Sequence, residues 1–377
     1  MESRRLKILH LMVSMPVGGA EDLVAAIVTG LDPDRFEVRA ATIGPPGPVA
    51  EELTAAGHPV ISLGLDIKRT STWRVVRAVR GLLKETRPDI LHTHLYHPNL
   101  YGRLAALRLD LKGVVAHVHN TYSRVKLHRR LANFILARVT DLVLVGGPQV
   151  RQDVHHYDGV PLSRLRLLPN GINLGDLETP LSREEAKAYF GVGGFCVGAV
   201  GRLEEQKGHT YLLDAVHLLK QGMGDLTVLL VGEGREQEAL QRQARQMGID
   251  DSVLFLGTRR DLALIYRALD LYVQPSLWEG LSLAMLQAMG TGLPAVVSRV
   301  SGAVDIIQDG LNGRLVPPGN AQALAAAIQE LYRQPETRAR LGGMARRTVK
   351  EHYSQETMLR RLEGLYLELW EKGGGVD

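Results

Sequence analysis

The chain has 377 residues, of which 45% are hydrophobic and 23% charged, the balance of a globular protein with room for two domains. No run of 18 uncharged apolar residues occurs, and the first apolar stretch, Ile8–Val13, is short and broken by His10. The sequence therefore predicts neither a signal peptide nor a membrane span. The single cysteine, Cys196, excludes an internal disulfide framework, predicts a small core residue and favours a reducing, cytoplasmic compartment.

Charge is unevenly distributed along the chain. Residues 1–175 contain 23 Lys and Arg against 15 Asp and Glu, whereas residues 176–377 contain 22 against 26. The basic half is suited to attract an anionic membrane surface or an anionic substrate, although an ordinary solvated surface explains the same numbers. Its basic residues are scattered with few aromatic residues among them, which argues against nucleic acid as a partner.

Short apolar runs alternate with longer amphipathic runs from the start of the chain. The predicted strands of the first half are Leu6–Val13, Phe36–Thr42, Pro59–Leu63, Asp89–Thr93, Val114–Val118 and Leu142–Val145. The predicted helices between them are Ala20–Leu31, Val49–Ala56, Thr72–Lys84, Leu100–Leu107 and Arg129–Arg138. Strands that alternate with helices in this way indicate a parallel sheet covered by helices on both faces.

The pattern pauses at Leu168–Asn173, where Pro169-Asn170-Gly171 indicates a turn, and then repeats. The strands predicted after it are Val197–Val200, Thr227–Val231, Val253–Leu256, Leu271–Gln274 and Pro294–Val297. The helices are Thr210–Leu219, Glu236–Met247, Asp261–Ala268, Ser282–Met289, Ala321–Tyr332, Glu336–Lys350 and Gln355–Glu371. Two α/β domains follow, and because open α/β sheets bind ligands at the carboxyl ends of their strands, a cleft between the domains is the expected site.

Two glycines, Gly18 and Gly19, separate the first predicted strand from the first helix. Glycines let the backbone approach a ligand closely, and the N–H groups at a helix N-terminus attract an anion. A plain tight turn explains the pair equally well. The turn lacks the Gly-x-Gly-x-x-Gly pattern, which argues against a dehydrogenase.

The loop Gly201–Gly208 follows the first strand of the second half and carries Arg202 and Lys207 just before a helix. A forked guanidinium and a compact ammonium together suit a diphosphate, and the helix dipole adds to the attraction. The alternative is a pair of solvated surface cations.

A second segment, Ser276–Met289, follows the strand Leu271–Gln274. Glu279 lies in its turn, and the backbone N–H groups that begin the next helix would point at a phosphate. A carboxylate beside a phosphate is unfavourable unless it accepts hydrogen bonds from sugar hydroxyls. The alternative interpretation is an ordinary acidic residue at a helix N-terminus.

Several of these stretches together resemble the family-four retaining glycosyltransferases of the GT-B fold. In the second half they are GRLEEQKG, VGEG, SLWEG with LAMLQAM, and SGAVDIIQDGLNGRLVPPGN; in the first half they are GGAED, DILHTHLYHPNLYGRLAA and AHVHN. The resemblance covers nearly the whole chain. It implies an α/β, GT-B architecture of two Rossmann-like domains whose parallel sheets face a central cleft. Residues 1–175 would form the acceptor-side domain and 176–355 the nucleotide-sugar domain, with the C-terminal helix 356–377 crossing back onto the first.

The resemblance also implies roles for individual residues. The donor diphosphate would be bound by Gly19, Arg202, Lys207, Leu281, Ser282 and Leu283. Glu279 would contact the transferred sugar, and His119 would lie near the reacting centre. His117 lies on the same side of that strand, so the choice between the two histidines stays open. His94 and Asn120 are expected on the acceptor side.

At Gln287 the sequence departs from the family, which usually has a glutamate that binds the ribose hydroxyls. An amide still accepts one hydrogen bond and donates others, but the charge-assisted bond is lost, so weaker donor affinity is expected. Asp305 likewise replaces a more common glutamate.

No metal or separate cofactor is expected, because helix N-termini with Arg202 and Lys207 can stabilise the leaving diphosphate. His92, His94 and His97 lie close in sequence, but a structural or acceptor role is favoured over metal binding, and no Cys/His zinc spacing occurs.

The predicted activity is transfer of a sugar, with retention, from a UDP- or GDP-linked donor to a glycan, lipid-linked or small-molecule acceptor. The predicted location is cytoplasmic, with peripheral contact to an anionic membrane as a further expectation. Two alternatives remain open at this point: an epimerase or phosphorylase on the same fold, and a non-catalytic module that binds sugar nucleotides, for which Gln287 is the only indication.

Overall fold

The computed structural model of the protein describes residues 4–119 and 127–373. It divides into two compact units, Met1–Gly171 with Gln355–Asp377, and Ile172–Ser354. These boundaries differ slightly from the expected 175/176 and 355/356. The reason is that Ile172 pairs with Ser354 in a parallel bridge and donates its N–H to the Tyr353 carbonyl at 2.9 Å. The second unit therefore begins and ends at this pair of residues.

The first unit is built on a fully parallel sheet of seven strands in the order β3-β2-β1-β4-β5-β6-β7. The strands are β1 (Leu6–Met12), β2 (Phe36–Thr42), β3 (Val60–Ser62), β4 (Ile90–His94), β5 (Gly113–Val118), β6 (Leu142–Val145) and β7 (Leu165–Leu167). The helices are α1 (Gly19–Gly30), α2 (Pro48–Ala55), α3 (Thr72–Thr86), α4 (Tyr96–Ala106), α5 (Leu127–Leu136) and α6 (Pro148–Asp158).

The second unit has a fully parallel sheet of six strands in the order β10-β9-β8-β11-β12-β13. The strands are β8 (Phe195–Val200), β9 (Leu226–Val231), β10 (Val253–Phe255), β11 (Leu271–Gln274), β12 (Ala295–Ser298) and β13 (Arg314–Val316). The helices are α7 (Arg183–Tyr189), α8 (His209–Leu219), α9 (Gln237–Gln246), α10 (Leu262–Ala268), α11 (Leu283–Gly290), α12 (Ser301–Val304), α13 (Ala321–Arg333) and α14 (Pro335–His352).

The last helix, α15 (Gln355–Gly373), belongs to the first unit. Met358, Leu362 and Tyr366 recur every four residues, which places them on one helical face. All three are almost completely buried, in a cluster that includes apolar residues of β1 and β4 such as Ile8 and Ile90. The chain thus returns to its first domain through an apolar contact.

Both sheets reverse their strand order at one point, between β1 and β4 in the first unit and between β8 and β11 in the second. Ligands of doubly wound sheets bind at such switch points, outside the carboxyl ends of the strands. The predicted pair of Rossmann-like domains is therefore confirmed, and ligand sites are expected in the loops that follow these four strands.

The sequence pattern predicts no element over residues 146–167, yet α6 and β7 lie there. Helix α4 begins at Tyr96 rather than Leu100, because Pro98 fits in the first turn of a helix, where its missing N–H has no partner to lose. None of the helices in the described part of the chain combines the length and apolar character needed to cross a bilayer.

Candidate active site

Two loops lie side by side at the switch point of the second unit, one after β8 and one after β11. Gly208 has a φ of +62°, and a Cβ there would lie 2.2 Å from the Pro275 carbonyl oxygen, so only glycine fits. Leu277 donates its N–H to the Gln206 carbonyl at 2.8 Å, and the Gln206 side-chain amide donates to the Trp278 carbonyl at 2.9 Å. Sequence reasoning missed Gln206 because its partners lie about seventy residues away along the chain.

These loops bring Lys207 and Glu279 into an ion pair, with Ser276 Oγ at 3.5 Å from the same carboxylate. The two charged side chains are only 15% and 13% exposed. An ammonium has three donors, so Lys207 can hold Glu279 and still donate to an anion. Because Lys207 balances the negative charge of Glu279, this carboxylate would repel a nearby phosphate less than an unpaired one.

The loop that carries Glu279 is fixed from its other side by α12. Gly302 donates its N–H to the Glu279 carbonyl at 3.2 Å, and a Cβ on Gly302 would lie 1.7 Å from the Gly280 carbonyl oxygen. Ser282, predicted as the first helical residue, is instead the N-cap of α11, and its Oγ accepts from Met285 N at 3.3 Å. The cap positions the first N–H groups of α11, which have no intrahelical partner.

Arg202 lies on the same loop as Lys207 but is exposed. Its neighbour Glu204 is engaged by both Nε and Nη2 of Arg235, at 3.1 and 2.9 Å. Behind the loop, burial and then the charge of Lys207 lower the pKa of His209 to about 4. His209 is thus neutral at pH 7 and adds no positive charge to that of the loop.

Gln287 lies on α11 and is half-buried. Its Oε1 accepts a hydrogen bond of 3.0 Å from the hydroxyl of Tyr266, whose pKa burial raises well above its usual value. Gln287 therefore has the second lone pair of Oε1 and its amide NH2 left to offer a ligand.

The glycine turn of the first unit leads directly into α1, which begins at the exposed Gly19. A Cβ on Gly18 would lie 2.7 Å from Glu21 Oε2, so the turn accommodates a glutamate folded back against it. Glu21 is 8% exposed, and burial raises its pKa. Packing against Glu21 therefore explains the glycine at position 18, whereas the phosphate contact is expected at Gly19.

A cluster of histidines occupies the switch point of the first unit. Strand register places His10 of β1 opposite His92 of β4, and His94 opposite His117 of β5. With His119, which follows β5, these rings form a stack whose neighbouring centroids are 4.1–5.5 Å apart. Both candidates for the reacting centre, His117 and His119, are thus in one cluster with His94. Asn120 lies outside the described residues.

Hydrogen bonds link part of this histidine cluster to α15. The Tyr366 hydroxyl lies 2.6 Å from His92 Nδ1 and 3.3 Å from His10 Nε2. His10 Nδ1 lies 2.9 Å from His94 Nε2, and His94 Nδ1 lies 3.2 Å from His119 Nε2. Burial lowers the pKa of His10 to about 3 and of His119 to about 4, so these rings are neutral at pH 7.

Two trios within the cluster, His10 with His92 and His94, and His94 with His117 and His119, bring their ring nitrogens within 4.8 Å of one another. The rings in these trios are inclined by 21–39° to one another. Hydrogen bonds link His94 of these trios to His10 and to His119. His97, by contrast, packs on α4 against Tyr96 and Tyr101.

The fold as a whole matches solved structures. HepE from Anabaena, solved in complex with UDP, superposes with a TM-score of 0.85 at 22% identity, covering 97% of this chain and 100% of that one. Together with two parallel Rossmann-like sheets and a cation–carboxylate pair at a switch point, this similarity defines the chain as a protein of the GT-B fold.

Family comparisons give the closer assignment. Residues 17–176 match the model described as Glycosyltransferase Family 4, and residues 194–334 match Glycosyl transferases group 1. EpsF of Bacillus subtilis (strain 168), described as a glycosyltransferase, is 31% identical over 315 residues, covering 79% of this chain and 80% of EpsF. The chain therefore belongs to the group 1, family 4 glycosyltransferases, as the sequence motifs predicted.

A second relative has a more specific name. The Escherichia coli UDP-Gal:alpha-D-GlcNAc-diphosphoundecaprenol alpha-1,3-galactosyltransferase is 26% identical over 338 residues, covering 86% of this chain and 87% of that enzyme.

Proposed function

We propose that this glycosyltransferase moves a hexosyl group from a UDP-sugar to a lipid-linked glycan, with retention at the anomeric carbon. The observation that supports the donor half is the Lys207–Glu279 ion pair, a partly buried cation and carboxylate at the switch point of the second unit. UDP is preferred over GDP because HepE is solved with UDP and the Escherichia coli relative is named for a UDP-sugar. The lipid-linked acceptor follows the name of that same relative.

On the donor side, the diphosphate would be bound by Lys207, Arg202, Gly19 and the N-terminus of α11, including the backbone of Leu281, Ser282 and Leu283. Charge develops on the leaving diphosphate as the glycosidic bond breaks, and preorganised donors lower the energy of that state. Glu279 would accept hydrogen bonds from hydroxyls of the transferred sugar while it holds the Lys207 ammonium in position.

On the acceptor side, His119 would contact the reacting centre as a neutral imidazole. His94 forms a hydrogen bond with one of the ring nitrogens of His119 and fixes the ring, so His94 would act through His119. Asn120, the next residue in the sequence after His119, would be the second acceptor-side residue. A neutral ring can accept or donate a hydrogen bond without placing a second positive charge beside the oxocarbenium-like sugar.

Isothermal titration with UDP and GDP, followed by hydrolysis and transfer assays with UDP-hexoses, tests the proposal. We expect UDP to bind more tightly than GDP and a UDP-hexose to be hydrolysed slowly without acceptor. Binding without any hydrolysis or transfer would favour the non-catalytic module instead. The coupling constant of the anomeric proton in the product reports retention or inversion.

Metal independence is the next expectation. Sugar transfer should proceed at an unchanged rate in excess EDTA, because fixed cations and helix N-terminal dipoles stabilise the diphosphate. Rates measured with EDTA, with added Mg²⁺ and with added Mn²⁺ check this. Loss of activity in EDTA that either ion restores would contradict it.

Replacing Gln287 by glutamate should tighten UDP binding by about tenfold, or about 1.4 kcal/mol. The Tyr266 hydroxyl would keep one carboxylate oxygen, and the other would accept from the ribose with the added strength of a charged acceptor. Titration calorimetry with UDP measures the change. Gln246→Glu, which adds the same charge at an exposed site on α9, is the matched control. Equal or weaker UDP binding by Gln287→Glu would show that residue 287 does not contact the ribose.

We also assign the enzyme to a reducing, cytoplasmic compartment. Cys196 is completely buried in β8, and burial raises the pKa of its thiol to about 12. The thiol is therefore a core group and not a nucleophile.

A further inference from the structure

A cavity of about 250 Å³ lies within the second unit, beside the C-terminal end of α11. Gly290, the last residue of α11, and Leu293, just before β12, both line it. These positions belong to the amino-terminal edge of the parallel sheet, whereas the loops of Lys207 and Glu279 follow the carboxyl ends of β8 and β11. The eight residues of α11, about 12 Å of helix at 1.5 Å each, separate the two edges. The cavity is therefore distinct from the proposed donor site.

Three arginines from three different helices line this cavity, Arg183 of α7, Arg267 of α10 and Arg346 of α14. Arg346 reaches it across the turn that follows α11, since a Cβ on Gly292 would lie 3.9 Å from Arg346 Cδ. Among the residues that the structure describes, a single acidic side chain, Glu178, lines the cavity with them. Positive charge therefore predominates, and we call this site the arginine cavity.

Most of the guanidinium donors in the arginine cavity are not used by the protein. Arg267 donates its Nε to a backbone carbonyl at 2.9 Å, and its two terminal nitrogens have no partner in the described part of the chain. Arg346 has no hydrogen bond or ion pair with any residue that the structure describes. Arg183 lies 3.3 Å from Asp270, which also binds Lys187 at 2.6 Å. Arg267 and Arg346 are thus the two residues best able to bind an anion.

The C-terminal end of α11 does not account for these arginines. Basic side chains often lie at such an end, because the last four carbonyls of a helix carry partial negative charge and lack intrahelical partners. In α11, however, three of these four carbonyls already accept hydrogen bonds from the backbone N–H groups of residues 291–293. The arginines are therefore not needed as caps, and an anion is the partner that their unused donors fit.

The rest of the lining suits a small organic phosphate. Guanidinium groups bind phosphate oxygens through forked, charge-assisted hydrogen bonds. The Thr291 hydroxyl also lines the cavity and donates to the Ala288 carbonyl at 2.7 Å, so its lone pairs can accept from a sugar hydroxyl. Leu174 and Leu177 add an apolar wall. A volume of about 250 Å³ lies just below the roughly 300–1,000 Å³ of sites for drug-sized ligands, which favours a monophosphate over a dinucleotide.

We propose that the arginine cavity binds a small phosphorylated molecule of the size of a sugar phosphate, as a second ligand site apart from the donor site. The phosphate would lie between Arg267 and Arg346, and the rest of the molecule would lie against Thr291 and the leucines. Tyr266 lines the cavity too, and its hydroxyl holds Gln287, so the ligand would lie one side chain away from the proposed ribose contact. The inference goes beyond the proposed sugar transfer and does not depend on which nucleotide carries the sugar.

Isothermal titration of the full chain with glucose 6-phosphate, inorganic phosphate and glucose tests the site. We expect glucose 6-phosphate to bind more tightly than inorganic phosphate, and glucose not to bind, because the arginines recognise the phosphate. Arg267→Gln/Arg346→Gln should weaken binding of glucose 6-phosphate by at least about tenfold, since both charge-assisted contacts are lost. Arg242→Gln/Arg333→Gln, which removes the same charge from exposed positions on α9 and α13, is the matched control and should bind like the wild type.

A second variant, Ala263→Trp, fills the arginine cavity without a change in charge and should also abolish binding. Thermal unfolding at the wild-type temperature shows that each variant is folded. Wild-type affinity in Arg267→Gln/Arg346→Gln would overturn the proposal, as would an equal loss in the control pair or equal affinity for inorganic phosphate.

UDP separates this site from the donor site. It should not displace glucose 6-phosphate, and competition between the two would assign the sugar phosphate to the donor site and overturn the proposal. Binding of glucose 6-phosphate by a chain that does not bind UDP would retain the arginine cavity and reject the donor proposal. Binding of UDP without glucose 6-phosphate would do the reverse.

Discussion

Replacement of Lys207 by alanine is expected to lower kcat/KM for sugar transfer by about 30- to 1,000-fold, or about 2–4 kcal/mol of transition-state stabilisation. The ammonium is only 15% exposed and is held by Glu279, so it acts without reorganisation when charge develops on the diphosphate. Arg202→Ala should fall at the lower end of the same range, because solvent screens this exposed guanidinium. Steady-state kinetics with a fixed acceptor measure both effects.

The ion pair complicates a single substitution, since Lys207→Ala also leaves Glu279 without its cation beside the donor phosphates. The double variant Lys207→Ala/Glu279→Gln should therefore bind UDP more tightly than Lys207→Ala alone. Lys220→Ala, which breaks an exposed ion pair with Asp251, is the matched control and should retain wild-type kinetics. Wild-type kinetics in Lys207→Ala would reject the diphosphate site.

Acidification from pH 6.5 to pH 5 is expected to destabilise the first unit by several kcal/mol. Burial lowers the pKa of every histidine in the cluster, so the folded chain keeps these rings neutral while the unfolded chain protonates them. Stability is therefore lost as the pH falls below the unfolded value of 6.5, by about 1.5 kcal/mol per ring over this interval. Asp158 has the opposite effect on stability, because burial raises its pKa to about 6 and the folded chain binds its proton more readily. It contributes one proton, however, against the five of the histidine cluster.

Urea unfolding of the full chain at several pH values measures this dependence. His117→Phe removes one titrating ring whose two nitrogens have no hydrogen-bond partner among the described residues, so the dependence should decrease by about one proton. His156→Gln, at an exposed position on α6, should leave it unchanged. A pH dependence that does not respond to His117→Phe would show that other groups control acid unfolding.

The two loops of the proposed donor site could be predicted from sequence because each is a contiguous motif directly after an apolar strand. Arg202, Lys207 and Glu279 were identified in this way. Their pairing could not be predicted, since it depends on how β8 and β11 lie next to each other in the sheet. Gln206 and Tyr266 could not be predicted for the same reason, because their hydrogen-bond partners lie on other elements.

The histidine cluster shows the limit most clearly. His94 lies in the motif DILHTHLYHPNLYGRLAA, and His117 and His119 lie in AHVHN, whereas His10 lies in an ordinary apolar strand. Only the parallel register of β1 with β4 brings His10 to the others, and Tyr366, which contacts His10, lies 356 residues further along the chain. Residues 146–167 were missed for a local reason, because α6 is mainly polar and its apolar pattern is weak.

A neutral imidazole has one N–H, so a hydrogen-bonded row of such rings has a direction. From Tyr366 through His10 and His94 to His119, every ring can donate toward His119 or every ring can donate toward Tyr366. A single ring that reverses alone would leave two lone pairs, or two N–H groups, facing each other. The tautomer of His119 is thus coupled to the hydroxyl of a tyrosine on the last helix, and the two possible tautomer orders are distinguishable by the ¹⁵N chemical shifts of the ring nitrogens.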